Sequence, residues 1–181
     1  MQNVEFKAEL RDLEAARGQC RMLEARRIAV VKQNDTYYRV SDGRLKHRVS
    51  PGQPPDWVLY HRADRLQPTV STFTILTEQQ ARKRWGTHSL RPWVTVHKLR
   101  EIWMLANRRI HLDVVEDLGT FIEFEGIVSK SQTADQCEDA VNLLRLQFQP
   151  VLGEPIAESY CDLMVRHLEQ EALLESGAPS E

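Results

Sequence analysis

Hydrophobic and polar residues alternate along "NVEFKAEL" (residues 3–10). Val4, Phe6, Ala8 and Leu10 fall on one side, and Asn3, Glu5, Lys7 and Glu9 on the other. A period of two predicts a strand. From Asp12 the period lengthens, and Leu13, Ala16, Cys20 and Leu23 make one helical stripe with Asp12 placed to cap it. Asp42-Gly43 marks a hairpin between two alternating runs, the second of which puts Arg44, Lys46 and Arg48 on one face. "DWVLYHRAD" predicts another strand with Tyr60 and Arg62 together, and "TVSTFTIL", rich in β-branched residues, predicts the next. Thr77-Glu78-Gln79-Gln80 is a capping box that opens a short helix ending near Gly86.

Alternation resumes in "WVTVHKLREIWML", which aligns Val94, Val96, Lys98 and Arg100. A turn at Ala106-Asn107 leads into "RRIHLDVV", where Arg109, His111 and Asp113 share a face. In the strand that follows, Phe121, Glu123 and Glu125 lie on one side and Ile122 and Phe124 on the other. Ala134, Cys137, Val141, Leu144 and Phe148 keep helical spacing, and "SYCDLMVRHLEQEALL" predicts a last helix. We expect one domain over residues 1–172 and a flexible tail over 173–181.

Charge changes the picture through its distribution. The 181 residues carry 24 Lys plus Arg against 26 Asp plus Glu, a formal net charge of −2, which disfavours a globally basic nucleic-acid binder. Cys20, Cys137 and Cys161 are widely spaced and show no zinc pattern, so they read as buried, reduced thiols. No apolar run approaches the roughly 18 residues of a membrane span. The N-terminus is charged where a signal peptide would be hydrophobic, so a soluble cytoplasmic protein is expected.

The strand faces are charged with both signs. The acids are Glu5, Asp113, Glu123 and Glu125; the bases are Lys7, Arg44, Lys46, Arg48, Arg62, Lys98, Arg100 and Arg109. An open sheet scatters neutral polar groups on its wet face, whereas a closed barrel can turn charged faces inward around a guest. The excess of bases calls for an anionic guest. Phosphates fit, and clustered carboxylates bind Mg²⁺ or Mn²⁺, which bridge to the same oxygens. Two like charges at Glu123 and Glu125 are then tolerable because a dication lies between them. The rival reading of Arg44, Lys46 and Arg48 as an RNA-binding strand lacks interleaved aromatic stacking platforms.

These stretches, in order from "NVEFKAEL" through "GRLKHRV", "VLYHRAD" and "VTVHKLREIWML" to "RIHLDVVEDLGTFIEFEG" and "SYCDL", resemble the CYTH or triphosphate tunnel metalloenzyme superfamily. The likeness is nearest to its small bacterial class IV adenylyl cyclase-like members. The resemblance implies an α+β fold: a closed antiparallel barrel of about eight strands with helices outside. It also implies a Mg²⁺- or Mn²⁺-dependent reaction on a small-molecule triphosphate. ATP conversion to cyclic AMP and pyrophosphate is the leading expectation. Hydrolysis of inorganic or thiamine triphosphate is the first alternative, and binding without turnover the second. No nucleic-acid or membrane partner is implied, and there is room for a homodimer.

The family's E-x-E-x-K strand reads Asn3-Val4-Glu5-Phe6-Lys7 here. By resemblance Glu5, Asp113, Glu123 and Glu125 are metal ligands, Lys7, Lys98 and Arg100 catalytic cations, and Arg44, Lys46, Arg48, Arg62 and Arg109 triphosphate contacts. Three positions depart from the pattern: Asn3 and His61 stand where glutamates are expected, and Thr69 where a lysine is expected. His111 reads first as a hydrogen-bonded structural group; His61 and His97 have no ligand-spaced partner.

Overall fold

Alternation dictates a sheet with one apolar and one charged face, and closing that sheet decides which face water sees. The computed structural model describes residues 1–86 and 90–177. Its strands are β1 (Gln2–Leu10), β2 (Arg26–Arg39), β3 (Arg44–Val49), β4 (Asp56–Arg62), β5 (Thr69–Leu76), β6 (Pro92–Leu105), β7 (Arg108–Val115), β8 (Gly119–Ile127) and β9 (Leu152–Pro155). They pair in the order β5-β4-β3-β2-β6-β7-β8-β1-β9, and β1 also pairs with β5. Residues 2–5 lie against 69–72, which closes an eight-stranded antiparallel barrel. The second half of β1 instead pairs with β9 through Ala8–Pro155 and Leu10–Leu152. β9 is thus an added strand outside the closed ring.

The apolar faces point outward under helices. Val4, Phe6, Ala8, Ile110, Leu112, Ile122 and Phe124 from β1, β7 and β8 pack against Cys137, Val141, Leu144 and Phe148 of α3 (Ala134–Phe148) and Ala16 and Cys20 of α1 (Leu13–Met22). α2 (Glu78–Trp85) lays Ala81 and Trp85 over Leu45, Trp57 and Leu59. Burying a side chain such as Phe124 stabilises the fold by about 1.5–3 kcal/mol. α4 (Tyr160–Glu175) does something different. Its Tyr160, Cys161 and Met164 meet Val94, Val96, Val115 and Phe121, which lie on the strand faces that carry the inward charges, so α4 closes one end of the barrel.

The caps follow from the sequence. Asp12 accepts from the Ala15 N–H at 2.9 Å, and Thr77–Gln80, Thr133–Gln136 and Ser159–Asp162 form capping boxes. β2 begins well before the Asp35 run, pairing with β6 from Arg26 onward, and α4 continues through Glu175, past the expected start of a tail at residue 173. Residues 178–181 of that tail lie outside the described residues. Among the described residues no helix is long and apolar enough to cross a membrane.

α3 crosses β8 so closely that a Cβ at Gly126 would lie 2.8 Å from Cys137 Cβ and 3.0 Å from the Cys137 carbonyl oxygen. Gly126→Ala is therefore expected to cost about 1–3 kcal/mol in urea unfolding. Gly18→Ala in α1, where a Cβ meets nothing within 4 Å, is expected to gain about 0.5–1 kcal/mol.

Candidate functional site

The barrel encloses a cavity of about 220 Å³ whose walls differ in charge. β1, β7 and β8 supply Glu5, His111, Glu123 and Glu125; β3 and β6 supply Lys46, Arg48, Lys98 and Arg100. The sheet register brings the acids together, because Glu5 stands opposite Glu125, Lys7 opposite Glu123, and Glu123 opposite His111. His111 Nδ1 lies 3.5 Å from Glu123 Oε2 and 3.7 Å from Glu125 Oε1, and one donor atom from each of these residues falls within 4.8 Å of the others.

Among the described residues several buried atoms here lack a hydrogen-bond partner: His111 Nδ1, the Asn3 amide oxygen, and Glu125 Oε2, which has an ion-pair contact with Arg109 Nε at 3.3 Å, all from cavity-lining residues. Buried polar groups are normally satisfied, so oxygen donors plus one imidazole nitrogen, left open, fit a divalent cation. His111 joins this set although its sequence context read first as structural. Its parity with Arg109 on β7 was the available signal.

Electrostatics sort the acids. Glu5 is pushed up to about 7 by burial and by the charges of Glu125 and Glu123, against which Arg62, with Nη1 at 3.5 Å, pulls down. Glu123 is held well below the usual carboxylate range: burial opposes its charge, but Arg100 and Lys7 outweigh it. Arg100 Nη2 reaches Glu123 Oε2 at 2.5 Å, and Lys7 Nζ lies 3.4 Å from Glu123 Oε1. Burial lowers Lys7, whose ammonium donates to the Glu158 carbonyl at 3.1 Å and sits 4.1 Å above the Tyr160 ring.

Most of the residues expected from the sequence meet at this cavity: Glu5, Lys7, Lys46, Arg48, Arg62, Lys98, Arg100, Arg109, Glu123 and Glu125 line it. Asp113 and Arg44 are not among its lining residues. Asp113 is fully buried and takes Arg100 Nε on Oδ1 at 2.7 Å, and Arg100 Nη2 and the Tyr160 hydroxyl on Oδ2 at 2.5 and 2.7 Å. These contacts tie Asp113 to Arg100 and Tyr160, at a position where the resemblance implied a metal ligand. Arg44 donates to the Arg62 carbonyl and pairs with Asp64 at 2.7 Å and Asp162 at 3.3 Å.

Sequence reasoning missed Asp35, which is buried against Arg48, Lys46 and Lys98. Of the departures, Asn3 lines the cavity, whereas His61 and Thr69 do not. His61 Nε2 lies 2.7 Å from Asp42 Oδ1, and the Thr69 hydroxyl donates to the Gln67 carbonyl.

The CYTH domain family model matches residues 1–150. The chain belongs to the CYTH domain family. Its fold is close to that of the PH1012 protein from Pyrococcus horikoshii OT3 (TM-score 0.70, 18% identity, covering 89% of this chain and 98% of that one). It is similar to a candidate adenylate cyclase from Vibrio parahaemolyticus (TM-score 0.67, 17% identity, 90% and 97% covered). A candidate adenylyl cyclase from Hippeastrum, described as having a dominant triphosphatase activity, also shares the CYTH fold (TM-score 0.57, 13% identity, 98% and 97% covered). No curated protein matches the chain.

The raised Glu5 gives the metal-free protein a pH signature. The folded chain holds this proton up to about pH 7, while the unfolded carboxyl ionises near 4.5. The stability contributed by Glu5 is complete below pH 4.5 and lost as pH rises through 7, on the order of 3 kcal/mol. Glu5→Gln in EDTA is expected to flatten the fall in melting temperature between pH 4.5 and 7, read by calorimetry against the parent.

Proposed function

We propose that this CYTH protein is a metal-dependent enzyme acting on a triphosphate. The observation that carries the reading is the two-signed cavity. A cation-rich wall of Lys46, Arg48, Lys98 and Arg100 faces a cluster of Glu5, His111, Glu123 and Glu125 that retains open donor atoms. The basic wall binds phosphoryl oxygens through charge-assisted hydrogen bonds. Glu123, Glu125, His111 and Glu5, with the Asn3 amide oxygen, would hold Mg²⁺ or Mn²⁺, which supplies positive charge for the attacking and leaving oxygens. Arg100, fixed by Asp113, and Lys7, beside Glu123, place fixed positive charge where the acids and the phosphates meet.

The cavity also has an apolar sector, Val58, Phe73, Ile75 and Ile102, that suits the organic part of a nucleoside triphosphate. This favours ATP, with attack of its 3′-hydroxyl on the α-phosphorus to give cyclic AMP and pyrophosphate. The second reading is hydrolysis at the terminal phosphorus of inorganic or thiamine triphosphate. It is favoured because the basic wall engages phosphate alone and needs no base or sugar. A cytoplasmic enzyme without nucleic-acid or membrane partners fits both.

Phosphorus NMR of the protein with ATP, inorganic triphosphate or thiamine triphosphate, each with Mg²⁺ or Mn²⁺, separates the readings. Pyrophosphate with cyclic AMP supports the cyclase, orthophosphate the phosphohydrolase, and no turnover of any of the three sinks the enzyme reading. Lys98→Met is expected to weaken binding of a nonhydrolysable triphosphate by about 1.5–3 kcal/mol, the usual scale for hydrogen bonds to charged groups, while leaving adenosine affinity unchanged. Glu125→Gln is expected to weaken Mn²⁺ binding in a calorimetric titration; parent-like affinity would remove Glu125 from the metal site.

A further inference from the structure

Lys46, Arg48 and Lys98 line the cavity, yet they converge on a group that does not. Asp35 of β2 is fully buried. Arg48 of β3 donates Nε to Oδ1 and Nη2 to Oδ2, each at 2.7 Å. Lys98 of β6 donates to Oδ2 at 2.7 Å, and Lys46 Nζ lies 3.1 Å from the same oxygen. The strands flanking β2 thus send three cations to one carboxylate, with three of the four contacts on Oδ2 and one on Oδ1. The cations are not used up: each ammonium has three protons and the guanidinium five N–H groups, so donors remain for the cavity.

A buried acid among cations can play two parts with opposite consequences. As a simple counter-charge it weakens anion binding, and its removal strengthens it. As an aiming point it fixes the direction of the surrounding donors, and its removal weakens anion binding despite the gain in positive charge.

We propose that Asp35 is a positioning residue for the phosphate-binding wall, holding Arg48, Lys98 and Lys46 so that their remaining donors meet on one phosphoryl group of the bound chain. The inference rests on the triphosphate reading. The bidentate Arg48 pair supports aiming, since two parallel bonds fix a guanidinium plane as a point charge does not. Asp35 also acts on the charge of Lys46. Burial, with Arg48 second, brings its ammonium down to about 7, and Asp35 works against that fall. Facing Lys46 are Asp35 and Tyr37 from β2, Arg48 on its own strand, Tyr60 from β4, Lys98 and Arg100 from β6, and Cys161 from α4. Asp35 is the one carboxylate in that set.

The test is calorimetric titration of inorganic triphosphate in EDTA, from pH 6 to 9, with the parent, Asp35→Asn and Arg48→Lys. Asp35→Asn is expected to bind at least tenfold more weakly at neutral pH, and its affinity to fall away at lower pH than the parent's, a shift that general loosening of the fold would not produce. Arg48→Lys keeps the charge but loses the two-pronged bond, and is expected to bind several-fold more weakly. Asp35→Asn binding as tightly as the parent or tighter overturns the proposal. If Asp35→Asn does not fold, Arg48→Lys decides alone, and parent-like affinity there overturns it. A parent chain that binds no triphosphate in EDTA or with Mn²⁺ brings down the triphosphate reading and this inference with it, whereas binding by the parent with unweakened variants overturns the inference alone.

Discussion

Every charge turned into a closed barrel must find a partner there, and most of this structure answers that constraint. Desolvating an ion costs several kcal/mol, which attraction to a single partner does not reliably return. The chain meets the cost with shared contacts: Asp35 with three cations, Arg100 with Asp113 and Glu123, Lys7 with Glu123 and the Glu158 carbonyl. A well-packed apolar interior would serve stability as well or better, so stability alone does not account for this one. The partners are also unevenly placed. Asp35 and the cations satisfy one another on β2, β3 and β6, whereas burial, together with repulsion among the acids of β1 and β8, raises Glu5.

Inward and outward faces were legible in the sequence because a strand's parity is a local property. Glu5 with Lys7, Lys46 with Arg48, Lys98 with Arg100, and Glu123 with Glu125 each fall on the face that alternation assigned. Partnership was not legible, because it depends on register across strands. Asp35 meets Lys98 from 63 residues away, and Asp113 gives both oxygens to Arg100 and Tyr160. Two pieces of sheet also escaped. The first half of β2 leaves Ile28 and Val30 exposed, which blurs its alternation, and β9 is four residues whose role comes from lying beside β1.

The departures from the family pattern carry unequal weight once placed. His61 sits on the opposite face of β4 from Tyr60 and Arg62 and is occupied by Asp42, so its identity bears on the barrel's exterior. Thr69 pairs in register with Glu5 but spends its hydroxyl on Gln67. Of the three, Asn3 alone changes the cavity wall, with an amide oxygen in place of a charged donor and no hydrogen-bond partner for it among the described residues.

Closure of one barrel end by α4 constrains the order of events in a way the charges do not. Tyr160, Cys161 and Met164, packed against Val94, Val96, Val115 and Phe121, plug that end with a mainly apolar cluster. A guest that enters the cavity from the other end must leave the same way, as cars share a dead-end street. Two guests lodged one behind the other would therefore depart in order, the outer before the inner.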